Sequence, residues 1–455
     1  MSDLLAIGKS GVLAYRDALS GISENVVNAN NDGFARRQVK LQEQTSAAGA
    51  MSTYRNTNSF NGVRAAQTSR VWDQYRASNA WNANSESSQA GIRSQYFATI
   101  ESTLDDSDAG LGTKLTAVFT SATSLSANPE DMTLRQGMLY SLQDAAGTIN
   151  QTYGTLGKVN DTIYQQANGI VGQVNGALKT LSRLNTALKT SPAGTSARAA
   201  LEDQRDTLIG TLSGAMGVDL TFTNTGTVTL KLNDLGGMQV VSAGTDDPGQ
   251  ISIVRANDGQ LTFTMTRNGV MSPINISTGS LAGLAEGAAT IAGRQLQLDG
   301  LASSFTTQFK TWQDGGVDAN GAKGVPLLTG TTAATIAMAV TDPKLIAAAS
   351  DPLTTTTPTA NGNLVALKSL RGDTGIEAQW HGITADQSLK TATAKTSATS
   401  AATQKDSAYS QLDNVSGVDL DTEAADLLRF QQAYSASAKI IQTARDTFQT
   451  VLELF

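Results

Sequence analysis

Residues 426–455 read DLLRFQQAYSASAKIIQTARDTFQTVLELF. Within this stretch Leu427, Phe430, Tyr434, Ser437, Ile441, Ala444, Phe448, Val451 and Phe455 recur at alternating intervals of three and four. Such a repeat draws a narrow apolar seam along a helix, and a narrow seam needs a partner helix. The first residues supply one. Leu5, Gly8, Val12, Tyr15, Leu19, Ile22, Val26 and Ala29 keep the same rhythm. The shared period predicts that the terminal helices form a coiled coil, with Tyr15, Leu19 and Ile22 facing Leu427, Tyr434, Ile441 and Phe448. The C-terminal seam runs to the last residue without a glycine, proline or polar tail. Sticky helical surfaces at both ends read as an assembly subunit, with Leu5, Val12, Tyr15, Leu19, Ile22, Val26, Leu427, Phe430, Tyr434, Ile441, Phe448, Val451 and Phe455 as its interface.

Composition narrows the chemistry. The 455 residues predict about three domains. A net charge of −7 argues against an electrostatic hold on nucleic acid or an anionic membrane. Cysteine is absent, which removes disulfides, thiol catalysis and thiolate metal sites. The single histidine, His381, lies in Gln379-Trp380-His381-Gly382 with no nucleophile or orienting carboxylate suggested by spacing, and reads as a structural or surface residue. Aromatic residues make up 5% of the chain and charged residues 16%, which suits long helices with small interface side chains. No apolar run approaches the roughly 18 residues of a membrane span. The opening Met-Ser-Asp-Leu-Leu lacks the basic region and cleavage pattern of a signal peptide.

Between the ends the text is mainly helical. The first helix runs from about Ser2 to Asn28 and stops in an Asn- and Gly-rich cluster around Asn28, Asn30 and Gly33. An extended, partly irregular segment follows, with helix resuming near Val71. Asn128-Pro129-Glu130 reads as a helix start, and residues 131–189 as a long helical pattern with Ile163, Ala167, Ile170, Val174, Leu178, Leu181 and Leu188 on one face. Its glycines argue against one rigid rod. The period then changes from 3.6 to 2. Val218, Leu220 and Phe222, Val228, Leu230 and Leu232, and Leu261, Phe263 and Met265 alternate with polar residues, and Asn224-Thr225-Gly226, Asn257-Asp258-Gly259 and Asn268-Gly269 separate such runs as hairpin turns. Helix returns at Leu281, where Ile291, Leu298, Phe305 and Trp312 stand seven apart, and again at 386–413 in Ala-, Ser- and Thr-rich text. Asp421 or Thr422 is placed to cap the last helix, with Glu423 and Asp426 acidic near its positive end.

The reading is therefore of an elongated, mainly α chain with an inserted antiparallel β domain. Residues 1–62 with 416–455 form a terminal coiled-coil module, 63–216 with 278–415 a helical bundle, and 217–277 a small β domain that is outermost. Three loops carry suggestive residues. The segment from Asp314 to Gly321 resembles a calcium loop but lacks the ligand order and distal Glu of an EF-hand. Asp105, Asp106 and Asp108 read as a solvated turn and helix cap, and Arg371-Gly372-Asp373 as a turn. No phosphate loop or dinucleotide fingerprint is present. The expectation is no catalytic residue, no cofactor and no metal.

Two motifs then carry a resemblance. Asn25-Val26-Val27-Asn28-Ala29-Asn30-Asn31-Asp32-Gly33-Phe34-Ala35-Arg36-Arg37-Gln38 is similar to the Asn-rich helix end and G-[YF]-x-R-Q turn of bacterial flagellar axial proteins. The stretch from Ser416-Gly417-Val418-Asp419-Leu420 through Arg429-Phe430-Gln431-Gln432-Ala433-Tyr434 to Thr443 resembles the closing helix of the same family. The opening S-G-V-x-L, the L-E-D-Q-R-D-T-L-I segment at 201–209 and G-S-L-A-G-L at 279–284 point to its hook-associated branch. Asn31-Asp32 and Phe34 depart from the family's more usual small residue, Pro or Ala, and Tyr; Gly33 is kept. The chain is short for that branch.

The resemblance implies a secreted structural subunit, exported through the flagellar type III apparatus without signal cleavage and joining hook to filament. Its implied partners are copies of itself, the hook protein, a second hook-associated protein and an export chaperone at the C-terminal helix, with no nucleic acid and no membrane. A hook or rod protein is the near alternative. A secreted adhesin or enzyme on a helical stalk is the distant one, and would need a carboxylate pair among Asp219, Asp234, Asp246, Asp247 and Asp258 of the β domain, which fall mostly in turns.

Overall fold

In the computed structural model the chain runs through α1 (Ser2–Val27), the strands β1 (Arg37–Glu43) and β2 (Val63–Arg70), then α2 (Gln74–Thr103), α3 (Leu111–Ala127), α4 (Met132–Thr190) and α5 (Ser196–Ala215). Strands β3 (Val218–Phe222), β4 (Val228–Leu232), β5 (Gln239–Val241), β6 (Gln250–Arg255), β7 (Leu261–Arg267) and β8 (Val270–Ile274) follow. Helix α6 (Ser280–Asp314) leads into a segment with the two-residue strands β9 (Gly316–Val317), β10 (Leu328–Thr329), β11 (Ala337–Met338) and β12 (Ala349–Ser350) and the short α7 (Gly362–Ala366). Helices α8 (Ile376–Ser416) and α9 (Leu420–Glu453) close the chain. The structure describes all residues except Met1, Asp32, 45–61, Asp105, Asp106, Asp108, 234–236, 245, 246, 353–356, 358, 454 and 455. The Asp105-Asp106-Asp108 turn, Asp234, Asp246 and Phe455 thus lie outside the described residues.

Helix α4 begins one turn later than Pro129 suggests. Asp131 caps it, its Oδ1 accepting from the amides of Thr133 (2.7 Å) and Leu134 (3.2 Å). It then runs unbroken for 59 residues, about 90 Å at 1.5 Å per residue. The glycines do not interrupt it because they look outward. A Cβ at Gly137, Gly147, Gly154, Gly169, Gly172 or Gly176 would meet nothing within 4 Å. The opposite face carries Leu142, Ile149, Leu156, Ile163, Val174, Leu178 and Leu181, all buried, and that burial outweighs the roughly 1 kcal/mol cost of each helical glycine. Against α4 pack α3, α5 and α6. On α6, Ile291, Leu298, Phe305 and Trp312 are all buried in the common core, as their spacing predicts.

Helix α8 runs antiparallel along α2. The Arg76 Nη1 donates to the Gln411 carbonyl (2.8 Å) at one end, and Gln387 Nε2 to the Phe97 carbonyl (3.0 Å) at the other. Buried alanines (Ala77, Ala80, Ala90 on α2; Ala394, Ala408 on α8) permit the close approach. Arg294 of α6 reaches the same layer and is held by Gln387, Gln297 and Asp386 at 2.9, 2.7 and 2.5 Å. The irregular segment after α6 is pinned by buried amides. Gln313 donates to the carbonyls of Val325 and Leu345 and accepts from the Ala347 amide, while Asn363 donates to the carbonyls of Trp312 and Ala347.

The six strands β3–β8 make two antiparallel sheets, ordered β3-β4-β5 and β6-β7-β8. Their turns are those the sequence marks: Gly226 and Gly259 have φ of +73° and +86°, and Asn268 and Gly269 have +49° and +75°. Both sheets dock on α4 through asparagines. The Asn185 Nδ2 donates to the Val228 carbonyl (2.8 Å) and its Oδ1 accepts from the Val228 amide (2.9 Å). Asn175 does the same with Ile251 of the edge strand β6, at 2.8 Å both ways. Each amide group takes the place of a neighbouring strand. Two buried backbone groups lose their partner at about 1–3 kcal/mol each in Asn185→Leu. The variant should therefore lose roughly 2–6 kcal/mol, with the Val228 amide exchanging faster and far-UV helicity retained.

Candidate assembly interface

The N-terminal helix ends in a sequence of tight turns. The Asn28 amide returns to the Glu24 carbonyl (3.1 Å), the Asn31 amide to Asn28 (2.9 Å) and the Phe34 amide to Asn31 (3.1 Å). Asn28 also donates through Nδ2 to the Glu24 carbonyl (2.9 Å), and Asn30 is exposed. Gly33 has φ of +81°, and a Cβ there would stand 2.5 Å from Thr207 Oγ1 of α5. These turns deliver Arg36 and Arg37 into the start of β1. The hairpin β1–β2 then folds back beside α1, and β2 pairs with β1 across the boundary expected at 62/63.

Helices α1 and α9 pack antiparallel. Gly8 abuts Ile441, Gly11 abuts Ser437, the Tyr15 and Phe430 rings lie 6.1 Å apart, and Asn25 reaches Glu423. The buried stripe of α1 is Gly8, Gly11, Ala14, Ala18, Gly21, Ile22 and Asn25. It is turned to one side of the apolar seam, because α1 is held on two faces. A Cβ on Gly21 would touch Val39 of the hairpin at 2.9 Å, and Ser10 Oγ accepts from the Val63 amide (3.1 Å). The outer half of the seam therefore remains at the surface. Ile22 is buried and Val12, Tyr15 and Leu19 are half-buried, but Leu5 and Val26 are exposed at 48% and 43%. On α9, Leu427, Phe430, Ile441 and Val451 are half-buried, while Tyr434 and Phe448 are exposed at 37% and 56%. The close contact with Gly8 and Gly11 is taken by Ser437 and Ile441, and Ala444 is buried one turn further on.

A charged cluster at the base of this pair was not signalled by the heptads. Glu423 is only 1% exposed. Its Oε1 accepts from Arg36 Nε at 2.6 Å and its Oε2 from Asn25 Nδ2 at 3.0 Å. Asn25 also holds both backbone groups of Arg37, donating to its carbonyl (2.9 Å) and accepting from its amide (2.7 Å). Glu423 is thus a buried tie between α1, the turn and α9 rather than a free acid at a helix start. The helix cap is Asp419, whose Oδ1 accepts from the Thr422 amide (2.8 Å), not Asp421 or Thr422. That hydrogen bond holds the Asp419 carboxyl below the usual carboxylate range.

The cluster continues into α5. Arg37 Nη2 donates to Asp203 Oδ2 (2.5 Å), and Arg70 meets Asp203 (2.8 Å) and Asp206 (2.6 Å). Arg205 closes on Asp206 (2.6 Å) with its guanidinium 4.6 Å from the Phe222 ring centre. Burial works against the Arg70 charge, but the carboxylates of Asp206, Asp203 and Glu202 together hold its pKa above the ordinary value. The segments G-F-A-R-R-Q and L-E-D-Q-R-D, far apart in sequence, are two halves of this one network.

The remaining suggestive residues do not gather. Asp318 turns its Oδ1 to the amides of Asn320 (2.8 Å) and Ala322 (2.9 Å), which makes a tight backbone turn. Arg371 is spent on Glu377 through two bonds of 2.8 and 2.9 Å. Of the β-sheet acids, Asp258 caps the Gln260 amide (3.0 Å) and Asp219 faces outward from β3. Among the described residues no three His, Cys, Asp or Glu side chains stand close enough to hold a metal ion, and no helix is long and apolar enough to cross a membrane.

Two substitutions probe the cluster. Glu423→Gln removes one partner of a buried pair and should cost roughly 3 kcal/mol, the low end for such a loss because Arg36 retains some solvent. Amide exchange should accelerate over the first turns of α9 and leave β6–β8 unchanged. In Gly33→Val, positive φ and the contact with Thr207 add strain of at least about 1–2 kcal/mol. A melting curve should show the loss, and restored stability in Gly33→Val with Thr207→Ala would assign part of it to the contact.

The model of the family described as "Flagellar hook-associated protein FlgK helical domain" matches residues 97–328, more than half of the chain. That of "Flagellar basal body rod FlgEFG protein C-terminal" matches 410–454, which is α9 and the end of α8. Flagellar hook-associated protein 1 of Escherichia coli is 25% identical over 560 positions covering 100% of both chains. Its namesake in Bacillus subtilis is 24% identical over 512 positions, covering 98% of this chain and 97% of its own. Both alignments are longer than 455 residues, so these relatives carry insertions that this chain lacks. The structure of the flagellar hook junction protein FlgK from Burkholderia pseudomallei superposes with a TM-score of 0.66 at 16% identity, covering 74% of this chain and 100% of that one, which shows a shared fold. The match across 97–328, the helical body on which the terminal pair is mounted, places this chain in the flagellar hook-associated protein FlgK family.

Proposed function

We propose that the chain is a structural subunit of the junction between flagellar hook and filament, assembling with copies of itself through its terminal helices. The supporting observation is the apolar surface left on the α1–α9 pair. Leu5, Leu13 and Val26 on one helix and Tyr434, Phe448 and Leu452 on the other are exposed although the two helices already pack on each other. Contacts that repeat from copy to copy without being mutual generate rings or helical arrays, which suits a thin layer between two tubes. The heptad seam is then completed as a coiled coil by neighbouring copies. On this reading the chain performs no catalysis, and its partners are the hook protein on one side and a second hook-associated protein on the other. It leaves the cell through the flagellar type III route with its N-terminus uncleaved, with a chaperone covering α9 beforehand.

The domain division belongs to the same proposal, with the first boundary moved from 62 to the end of β2 at Arg70 and the β insertion kept at 217–277. A hook or rod protein remains the nearer alternative, but the rod-type match is confined to the C-terminal stretch while the FlgK match covers the helical body.

The test replaces exposed side chains only. Leu13→Glu with Phe448→Glu should change monomer stability by less than about 0.5 kcal/mol for each site, as expected for surface positions. In cells lacking their own copy, the variant should leave hooks without filaments and abolish swimming, while labelled wild-type protein marks the hook–filament joint. Normal filament growth on the doubly substituted subunit would rule the interface out.

A further inference from the structure

Two apolar features of the helical body stay uncovered, and they stand on opposite sides of one helix. The first is Tyr140 of α4, 61% exposed. The second is a groove of about 830 Å³ between α3, α7 and the turn Leu367–Arg371. Its floor is Phe119, Ala122, Leu364 and Leu367, all buried, and Val365 stands on its wall at 60% exposure. Bonds at its margins hold the groove in shape. Asn361 Nδ2 donates to the Ser126 carbonyl (2.9 Å), and Thr116 Oγ1 to Glu377 Oε1 (2.8 Å). The Arg371 guanidinium, tied to Glu377, lies 5.2 Å from the Phe119 ring centre. A preformed apolar hollow with a few polar groups at its rim is what a protruding aromatic side chain fills at a binding surface.

Helix α3 separates the two. Helices α3 and α4 form an antiparallel hairpin, bridged by Lys114 and Asp144 at 2.9 Å. From that bridge Tyr140 lies four residues toward the connection, about 6 Å, and Phe119 five residues, about 7.5 Å. Ring and groove are therefore level along the hairpin. They face apart, because Lys114 turns to α4 while Thr116, about 200° further around α3, turns to α8 and the groove. A side chain and a hollow that are level but face apart cannot meet within one chain. They meet when a second copy stands beside the first in the same orientation. Charge agrees with that pairing: Asp144, one turn from Tyr140, has its side chain 57% exposed, and Lys368 is exposed on the rim of the groove. We infer that Tyr140 of one copy seats in the α3–α7 groove of the next. The contact is not mutual, so each copy keeps a ring free on one flank and a groove free on the other, as a ring or helical row requires. This rests on the assembly proposed above and adds to it a contact within the helical body, away from the terminal helices.

The chain has no cysteine, so introduced thiols report the contact directly. Hook–filament structures isolated from cells whose only copy carries Tyr140→Cys with Val365→Cys, once oxidised, should yield a ladder of dimers, trimers and longer chains of this subunit. Cells making the two single variants together should give dimers containing one of each. A dimer from either single variant alone would show a mutual contact and overturn the inference. A photoactivatable residue in place of Val365, with every other residue unchanged, decides the matter if the double variant is not incorporated. Its adduct should fall on residues 132–148 of another copy. Subunits present at the joint with neither ladder nor adduct overturn the contact and leave the proposed function standing, and an adduct on a different protein does the same. A subunit absent from the joint overturns the proposed function and the contact with it, so the two failures are told apart. Tyr140→Ala should leave the melting temperature of the free subunit unchanged and lower the number of cells bearing filaments several-fold, while Tyr140→Phe keeps that number. Wild-type filament numbers in the alanine variant would overturn the contact as well.

Discussion

A carboxylate with almost no access to water has to be met by charge and hydrogen bonds, and Glu423, at the start of the last helix, is met by residues from the other end of the chain. Arg36 and Asn25 bind its two oxygens. Asn25 in turn holds the backbone of Arg37, so placing Glu423 places the end of α1, the turn and the first residue of β1 together. From there the order spreads outward. Arg37 is committed to Asp203, Arg70 to Asp203 and Asp206, and Arg205 to Asp206. Termini separated by almost the full length of the chain thus share one electrostatic anchor, and α5 is positioned against it. Such groups are costly to bury, and each loses more by losing its partner than the pair gains by forming. The arrangement specifies a geometry more than it adds stability.

The apolar periods of the sequence were enough to find the long helices, the paired ends and the inserted strands. Ile291, Leu298, Phe305 and Trp312 behave as a seven-residue repeat should, and Asn268-Gly269 makes the turn its residues favour. The orientation of α1 was not legible in the same way. A heptad identifies which residues are apolar but not how many neighbours the helix has. With α9 on one side and the β1–β2 hairpin on another, the buried stripe moved onto Gly8, Gly11, Ala14, Ala18 and Gly21, residues whose small size carries little weight in a hydrophobic pattern. The outward rotation of Leu5 and Val26 follows from that and is the source of the surface assigned to assembly.

Polar residues with long-range partners were the other blind spot. Glu423 looks like any acid in a first helical turn, and Asn175, Asn185 and Arg294 look like solvated positions on helices, because nothing local marks a side chain that bonds a residue far away in sequence. Both G-F-A-R-R-Q and L-E-D-Q-R-D were visible as motifs; their mutual pairing was not, since charge complementarity alone does not select one acid–base match among many. The glycines of α4 misled in the opposite direction. Their helix-breaking tendency is real, but propensity yields to a continuous buried face.

The asparagine contacts that mount the sheets on α4 have an evolutionary side. Asn175 and Asn185 grip main-chain atoms, which every residue other than proline offers in the same form. These two contacts do not read the identity of the strand side chains, whereas Val228, Leu230 and Leu232 of β4 and Ile251 of β6, buried in one core with Val174, Leu178 and Leu181, do. Change is therefore cheap on the exposed positions of the sheets, such as Thr262, and costly on the inward ones. A helix with two such amides fixes where a sheet sits and leaves its outward face free to vary.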